Sequence, residues 1–230
     1  MRYAIYHTAG KDDPLSHAAA EWLGRHVHTG ADVRQPVLDW LPSADLKALT
    51  SDPRRYGFHG TLKAPFHLRA NTRREDMFAE IERFAASTPV VMLDTGLKVA
   101  RLGPFFALVP TTPSEDLAAF AGDCVKTFEP FRAPLADADL ERRRKARLTA
   151  NQDAHLVQWG YPYVFDEFRF HMTLTGRTTE ALHAPMRQEL EQRFAAFTGR
   201  AYRLDTLSLF SQAEPDQAFQ VEASFHLKRP

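Results

Sequence analysis

The chain of 230 residues sets 29 Lys and Arg against 29 Asp and Glu, so its formal net charge is zero with histidines neutral. Hydrophobic residues make up 44% and charged residues 25%, which excludes a disordered chain and allows a sizeable core. The neutral balance argues against a long polyanion as ligand, because proteins that grip nucleic acid carry a basic excess. No DNA partner is expected, whereas a small phosphorylated molecule remains compatible.

Cys124 is the only cysteine, so no internal disulfide forms, which fits a reducing compartment. No run approaches the roughly 18 apolar residues of a membrane span. Met1–His7 has neither a long apolar run nor a cleavage-like site. The expectation is a cytoplasmic protein with no membrane partner.

Tyr3–His7 reads as a short strand, ended by Gly10 and the polar turn that follows. Pro14–Val27 reads as a helix, with Leu15, Ala18, Ala19, Trp22, Leu23 and His26 on one apolar face. Pro36 and Pro42 interrupt the next stretch, and Ser43 is placed to cap a short helix through Leu49. Phe58–Leu68 reads as a strand. Thr72 and Glu75 have capping-box spacing for a helix to about Ala86. Val90–Leu97 and Phe105–Val109 read as strands joined by a turn at Arg101–Pro104, and Ser114 is placed to cap a helix through Phe128. The run Arg142-Arg143-Arg144-Lys145 in the charged segment Asp137–Leu148 reads as a solvated helix face, with a ligand role as the alternative. A short helix and a turn fill Asn151–Tyr163. Phe168–Thr175 is a strand, Thr179–Phe197 a helix, and Tyr202–Phe210 and Ala218–Leu227 the last two strands.

Two of these strands carry the same five-residue pattern, Phe58-His59-Gly60-Thr61-Leu62 and Phe170-His171-Met172-Thr173-Leu174. Side chains alternate along a strand, so His59 and Thr61 share one face over an apolar back, and His171 and Thr173 do the same. A helix and two further strands follow each motif at nearly matching spacing: strands near Val90 and Phe105 after His59, strands near Tyr202 and Phe219 after His171. This predicts an internal duplication, with 1–230 as one unit of two pseudo-symmetric lobes sharing a cleft.

The paired motifs resemble the two-histidine (2H) phosphoesterase superfamily. The longer strings Arg55–Phe66 and Trp159–Gly176 are similar to one branch of it, the DUF1045 proteins, often named putative phosphonate-metabolism proteins. The resemblance covers most of the chain. It implies an α+β fold of two lobes, with antiparallel sheets lining a central groove and helices outside. It also implies an enzyme opening a small cyclic phosphodiester, such as a ribose cyclic phosphate formed during phosphonate breakdown.

The residues agree with that chemistry. Histidine titrates near neutrality, so one neutral imidazole can take a proton from water while a protonated one gives a proton to the leaving alkoxide. The hydroxyls of Thr61 and Thr173 can donate to phosphoryl oxygens. The catalytic candidates are therefore His59 and His171, and the phosphate-binding candidates Thr61 and Thr173. Lys63 and Thr175 lie four residues beyond each histidine on the same face, as further substrate contacts. Arg169 shares the face of His171 and can clamp an anion, with Tyr56 beside the first motif. Tyr161 and Tyr163, with Trp159, can stack on a base or sugar, or pack in the core. No cofactor and no metal are expected. The chain has no Gly-rich phosphate loop, no Gly-x-Ser-x-Gly elbow and no Cys-x-x-Cys. Two rival readings stay open: an RNA-end 2′,3′-cyclic phosphodiesterase or 2′-5′ ligase-like enzyme, and a non-catalytic protein that binds a phosphorylated metabolite.

Overall fold

The computed structural model describes residues 1–228. It is an α+β protein. In chain order its principal elements are β1 (Arg2–His7), α1 (Pro14–Leu23), α2 (Ser43–Tyr56), β2 (Gly60–Phe66), α3 (Arg74–Ser87), β3 (Val91–Leu93), β4 (Leu97–Leu102), β5 (Phe105–Pro110), α4 (Glu115–Thr127), α5 (Asp137–Arg144), α6 (Ala150–Trp159), β6 (Met172–Thr173), α7 (His183–Arg193), β7 (Tyr202–Leu204), β8 (Thr206–Gln212) and β9 (Gln220–His226). No helix among the described residues is long and apolar enough to cross a membrane.

Seven strands form one sheet in the order β4-β5-β6-β2-β1-β8-β9, with every neighbouring pair antiparallel. The motif strands β2 and β6 are neighbours in its middle, so the separate sheets expected across a groove are joined into one. The order reads alike outward from that junction if β5 is the counterpart of β1, β6 of β2 and β4 of β8. The short strands β3 and β7 pair with each other in a second sheet. The expected match of the Phe105 strand with the Phe219 strand is therefore wrong. In the correspondence read outward from the junction, the strand at Phe105 matches β1, and β9 is an edge strand without a counterpart. Each half of the sheet also borrows a strand: β4 pairs β5, and β8 pairs β1.

Local chemistry explains most helix ends. The Asp13 side chain accepts from the Leu15 N–H, with Pro14 in the first turn, and Gly24 at φ 78° ends α1 at Leu23, short of the predicted Val27. Ser114 caps α4 as expected. The Thr72 capping box is not formed, and α3 starts after Arg73 without a side-chain cap. α2 runs well past Leu49, with Pro53 inside it and Ser43 as its first residue rather than its cap. A proline leaves the carbonyl four residues earlier without its helical donor. That carbonyl, Leu49 O, takes the Gly176 N–H at 2.5 Å instead. Buried Trp22 of α1 donates its indole N–H to Leu174 O at 2.8 Å. Two helices of the first half thus hold the backbone at the end of the second motif and just beyond it.

Candidate active site

The register of β2 against β6 sets the site. Gly60 lies opposite Met172, so the antiparallel ladder carries Thr61 opposite His171 and His59 opposite Thr173. All four side chains stand on one face. Opposite residues are about 4.5–5.5 Å apart and diagonal ones about 7–8 Å, which puts both imidazoles within reach of a single phosphate. The other face is apolar: Phe58, Leu62, Phe170, Met172 and Leu174 are buried. Gly60 is needed there, because a Cβ on it would lie 2.3 Å from the Phe170 ring.

Both histidines use the same device to orient their rings. His59 Nδ1 is 2.8 Å from Gly57 O, and His171 Nδ1 is 2.7 Å from Arg169 O. A carbonyl only accepts, so Nδ1 carries the proton and Nε2 is presented to the cleft with its lone pair. Gly57, at φ 79° and ψ 165°, supplies the first carbonyl from a conformation that suits glycine.

Their surroundings differ. His59 is stacked on Tyr6, with ring centroids 3.8 Å apart, and its Nε2 accepts from the Thr61 hydroxyl at 3.2 Å. Burial pushes its pKa down to about 4. The Gly57 carbonyl opposes that shift and the charge of His171 adds to it. His171 sits 5.6 Å from the Phe105 ring, and burial lowers its pKa too, against the pull of the Arg169 carbonyl. Both imidazoles are therefore biased toward the neutral form in the free protein.

Two hollows open over the four residues. The larger, about 450 Å³, is lined by Thr61, His171, Arg169, Tyr161, Tyr163 and Gln152, among others. The smaller, about 280 Å³, is lined by His59, Thr173, Tyr56 and Arg177 with others. Each cross-strand His–Thr pair thus faces one hollow, and Phe105 borders both.

Two expected contacts have their polar groups engaged within the protein. Lys63 is buried under α4, where its ammonium donates to Val125 O and Glu129 Oε2, both at 2.9 Å. Register irregularities in β2 opposite Ile5 break the simple alternation that put Lys63 on the histidine face. Thr175 is fully buried; its hydroxyl accepts from Phe106 N–H at 3.0 Å and donates to Gly176 O at 2.9 Å. Tyr56 stacks on Phe219 at 5.2 Å and borders the smaller hollow, while Arg169, Tyr161 and Tyr163 border the larger. The sequence reading missed Tyr6, Phe105, Gln152 and Arg101 at the site. Tyr6 was findable, since its place beside the first motif follows once β1 pairs β2.

The chain belongs to the family described as "Protein of unknown function (DUF1045)", whose model matches residues 61–220. Among curated relatives, it is 38% identical over 222 residues to a protein named ribose 1,5-bisphosphate phosphokinase PhnN from Janthinobacterium sp. (strain Marseille), covering 95% of this chain and 49% of that one. A protein of the same name from Laribacter hongkongensis (strain HLHK9) is 30% identical, with 96% and 50% covered. The chain spans about half the length of these relatives. Among solved structures, TT0787 of Thermus thermophilus aligns at 14% identity and a TM-score of 0.48, covering 100% of this chain and 99% of that one.

Proposed function

We propose that this protein is a metal-independent cyclic phosphodiesterase acting on a ribose cyclic phosphate. The observation that carries the reading is the register at Gly60 and Met172, which sets two His–Thr pairs side by side with both Nε2 atoms facing the cleft. Water attacks phosphorus from the smaller hollow and gives its proton to neutral His59 Nε2. The bond from phosphorus to one ring oxygen breaks, and protonated His171 gives that oxygen a proton. Thr61 and Thr173 hold the non-bridging oxygens as charge builds. His59 fits the base because Tyr6 and burial keep it neutral. His171 fits the acid because the anionic substrate in the larger hollow favours its protonated form.

The named relatives point to the sugar. Ribose 1,5-bisphosphate is what opening a 1,2-cyclic phosphate on ribose 5-phosphate releases, when the bond to O2 breaks. The kinase activity in that name is not proposed for this chain, which has no Gly-rich phosphate loop. An origin of the substrate in phosphonate breakdown is part of the same proposal. The test is turnover of ribose 5-phosphate 1,2-cyclic phosphate beside a 2′,3′-cyclic nucleotide. Preferred opening of the ribose compound is expected. Preference for the nucleotide would move the reading to RNA ends.

A further inference from the structure

The basic run on α5 is not uniform. Arg142 pairs with Asp139 at 2.7 Å and Arg144 with Asp153 at 2.6 Å. Arg143, between them, has its Nε buried with no hydrogen-bond partner among the described residues. Its guanidinium carbon lies 5.7 Å from the centroid of the Tyr161 ring, which lines the larger hollow. Besides Tyr161, the charged and titratable groups around Arg143 are Arg142, Asp139 and Tyr56. Asp139 is engaged with Arg142, and Tyr56 borders the smaller hollow. Burial lowers the pKa of this guanidinium. A half-buried guanidinium with an unpartnered buried Nε and no carboxylate of its own has donors left for an anion.

We infer that Arg143 is the anchor of a second anion subsite, which takes a phosphate of the substrate other than the one that reacts. The reacting phosphate belongs over the His–Thr pairs on the sheet. Arg143 comes from α5 and sits beside the ring of Tyr161, which lines the hollow. The hollow between has the volume of small-molecule sites and admits a pentose. A guanidinium can grip a phosphate with two parallel hydrogen bonds while its face stays on the tyrosine. Arg101 and Arg169 are both exposed and line the same hollow; they add charge at the mouth, whereas Arg143 is half-buried against Tyr161.

The inference rests on the ribose reading above, and its test uses ligands that are not turned over. Titration calorimetry would compare ribose 1,5-bisphosphate with ribose 1-phosphate on the wild-type chain, Arg143→Gln and Arg143→Lys. The 5-phosphate is expected to strengthen binding at least about tenfold in the wild type, as a charge-assisted bidentate contact does. That advantage should vanish in Arg143→Gln and survive in part in Arg143→Lys, which also serves as the folded control. An equal advantage in Arg143→Gln, or no advantage in the wild type, would overturn it. Turnover separates the two proposals. Cyclic phosphate opened with the same KM with and without a 5-phosphate leaves the reaction standing and removes the subsite. A phosphate-dependent advantage that needs Arg143, with no turnover, does the reverse.

Discussion

The two motifs share four of five residues, yet the protein treats them differently. Around the first, β2 runs seven residues through the middle of the sheet; around the second, β6 is only two residues long. Both histidines donate from Nδ1 to the carbonyl two residues before them, so that feature comes with the motif itself. What differs comes from outside the motifs. Tyr6 of β1 covers His59, while Phe105 at the start of β5 stands beside His171. Gly60 leaves room for the Phe170 ring, and the bulkier Met172 takes the corresponding place in β6. A repeated signature thus sets two like tools, and the flanking strands give each its own proton affinity and its own hollow.

The largest effects should come from the tools themselves. His59→Ala and His171→Ala should each lower turnover by about 10²–10⁴, with the folded state kept, as read by steady-state kinetics and circular dichroism. If the pair acts as one unit, the double variant should lose little more than the worse single one.

Next come the positions four residues beyond each histidine, which are structural. Glu129→Ala would strand the buried Lys63 ammonium and Arg132. Breaking such a buried pair costs about 3–5 kcal/mol, read as a lower urea midpoint. Activity per folded molecule should hold. A drop in activity with unchanged stability would return Lys63 to the site.

The pH profile should show the unequal histidines. The base must be neutral, so kcat/KM rises as pH passes the depressed value of His59, about 4. The acid must be protonated, so kcat/KM falls as pH passes the value of His171, which burial holds below its ordinary 6.5. The expected optimum is acidic, with limbs that are macroscopic values of the pair. A plateau extending to pH 8 would contradict the assignment.

The smallest effects are expected from the fit between the motifs. Gly60→Ala must displace the Phe170 ring, a strain of about 1–3 kcal/mol, and should lower turnover by shifting His171 one residue away. Thr61→Val and Thr173→Val should each cost about 1–3 kcal/mol in transition-state binding. Thr61→Val should be the worse, since it also frees His59 Nε2.

Much of this was legible in the sequence. Period-two alternation gave the shared faces of His59 with Thr61 and His171 with Thr173, and the element order was right except that the strands expected at Val90–Leu97 and Tyr202–Phe210 are each split into two that belong to different sheets. Four things were not legible, each for a physical reason. The counterpart of each strand depends on which neighbours it pairs, and β5 has the spacing of β9 but pairs the second motif strand as β1 pairs the first. The face of Lys63 depends on register irregularities that no local pattern announces. The position of Arg143 depends on which members of a charge run find carboxylates, and Asp139 and Asp153 take its neighbours. Pro53, a helix breaker by local rules, is accommodated because Gly176 supplies a donor from far along the chain.

The most direct measurement is phosphorus NMR of ribose 5-phosphate 1,2-cyclic phosphate opened in ¹⁸O-labelled water by chelator-treated protein. The account predicts ribose 1,5-bisphosphate carrying one labelled oxygen on its C1 phosphate, formed by the wild type and not by the variant lacking both His59 and His171. Opening at the wild-type rate by that double variant, or activity that vanishes with chelation and returns with added zinc or manganese, would contradict it.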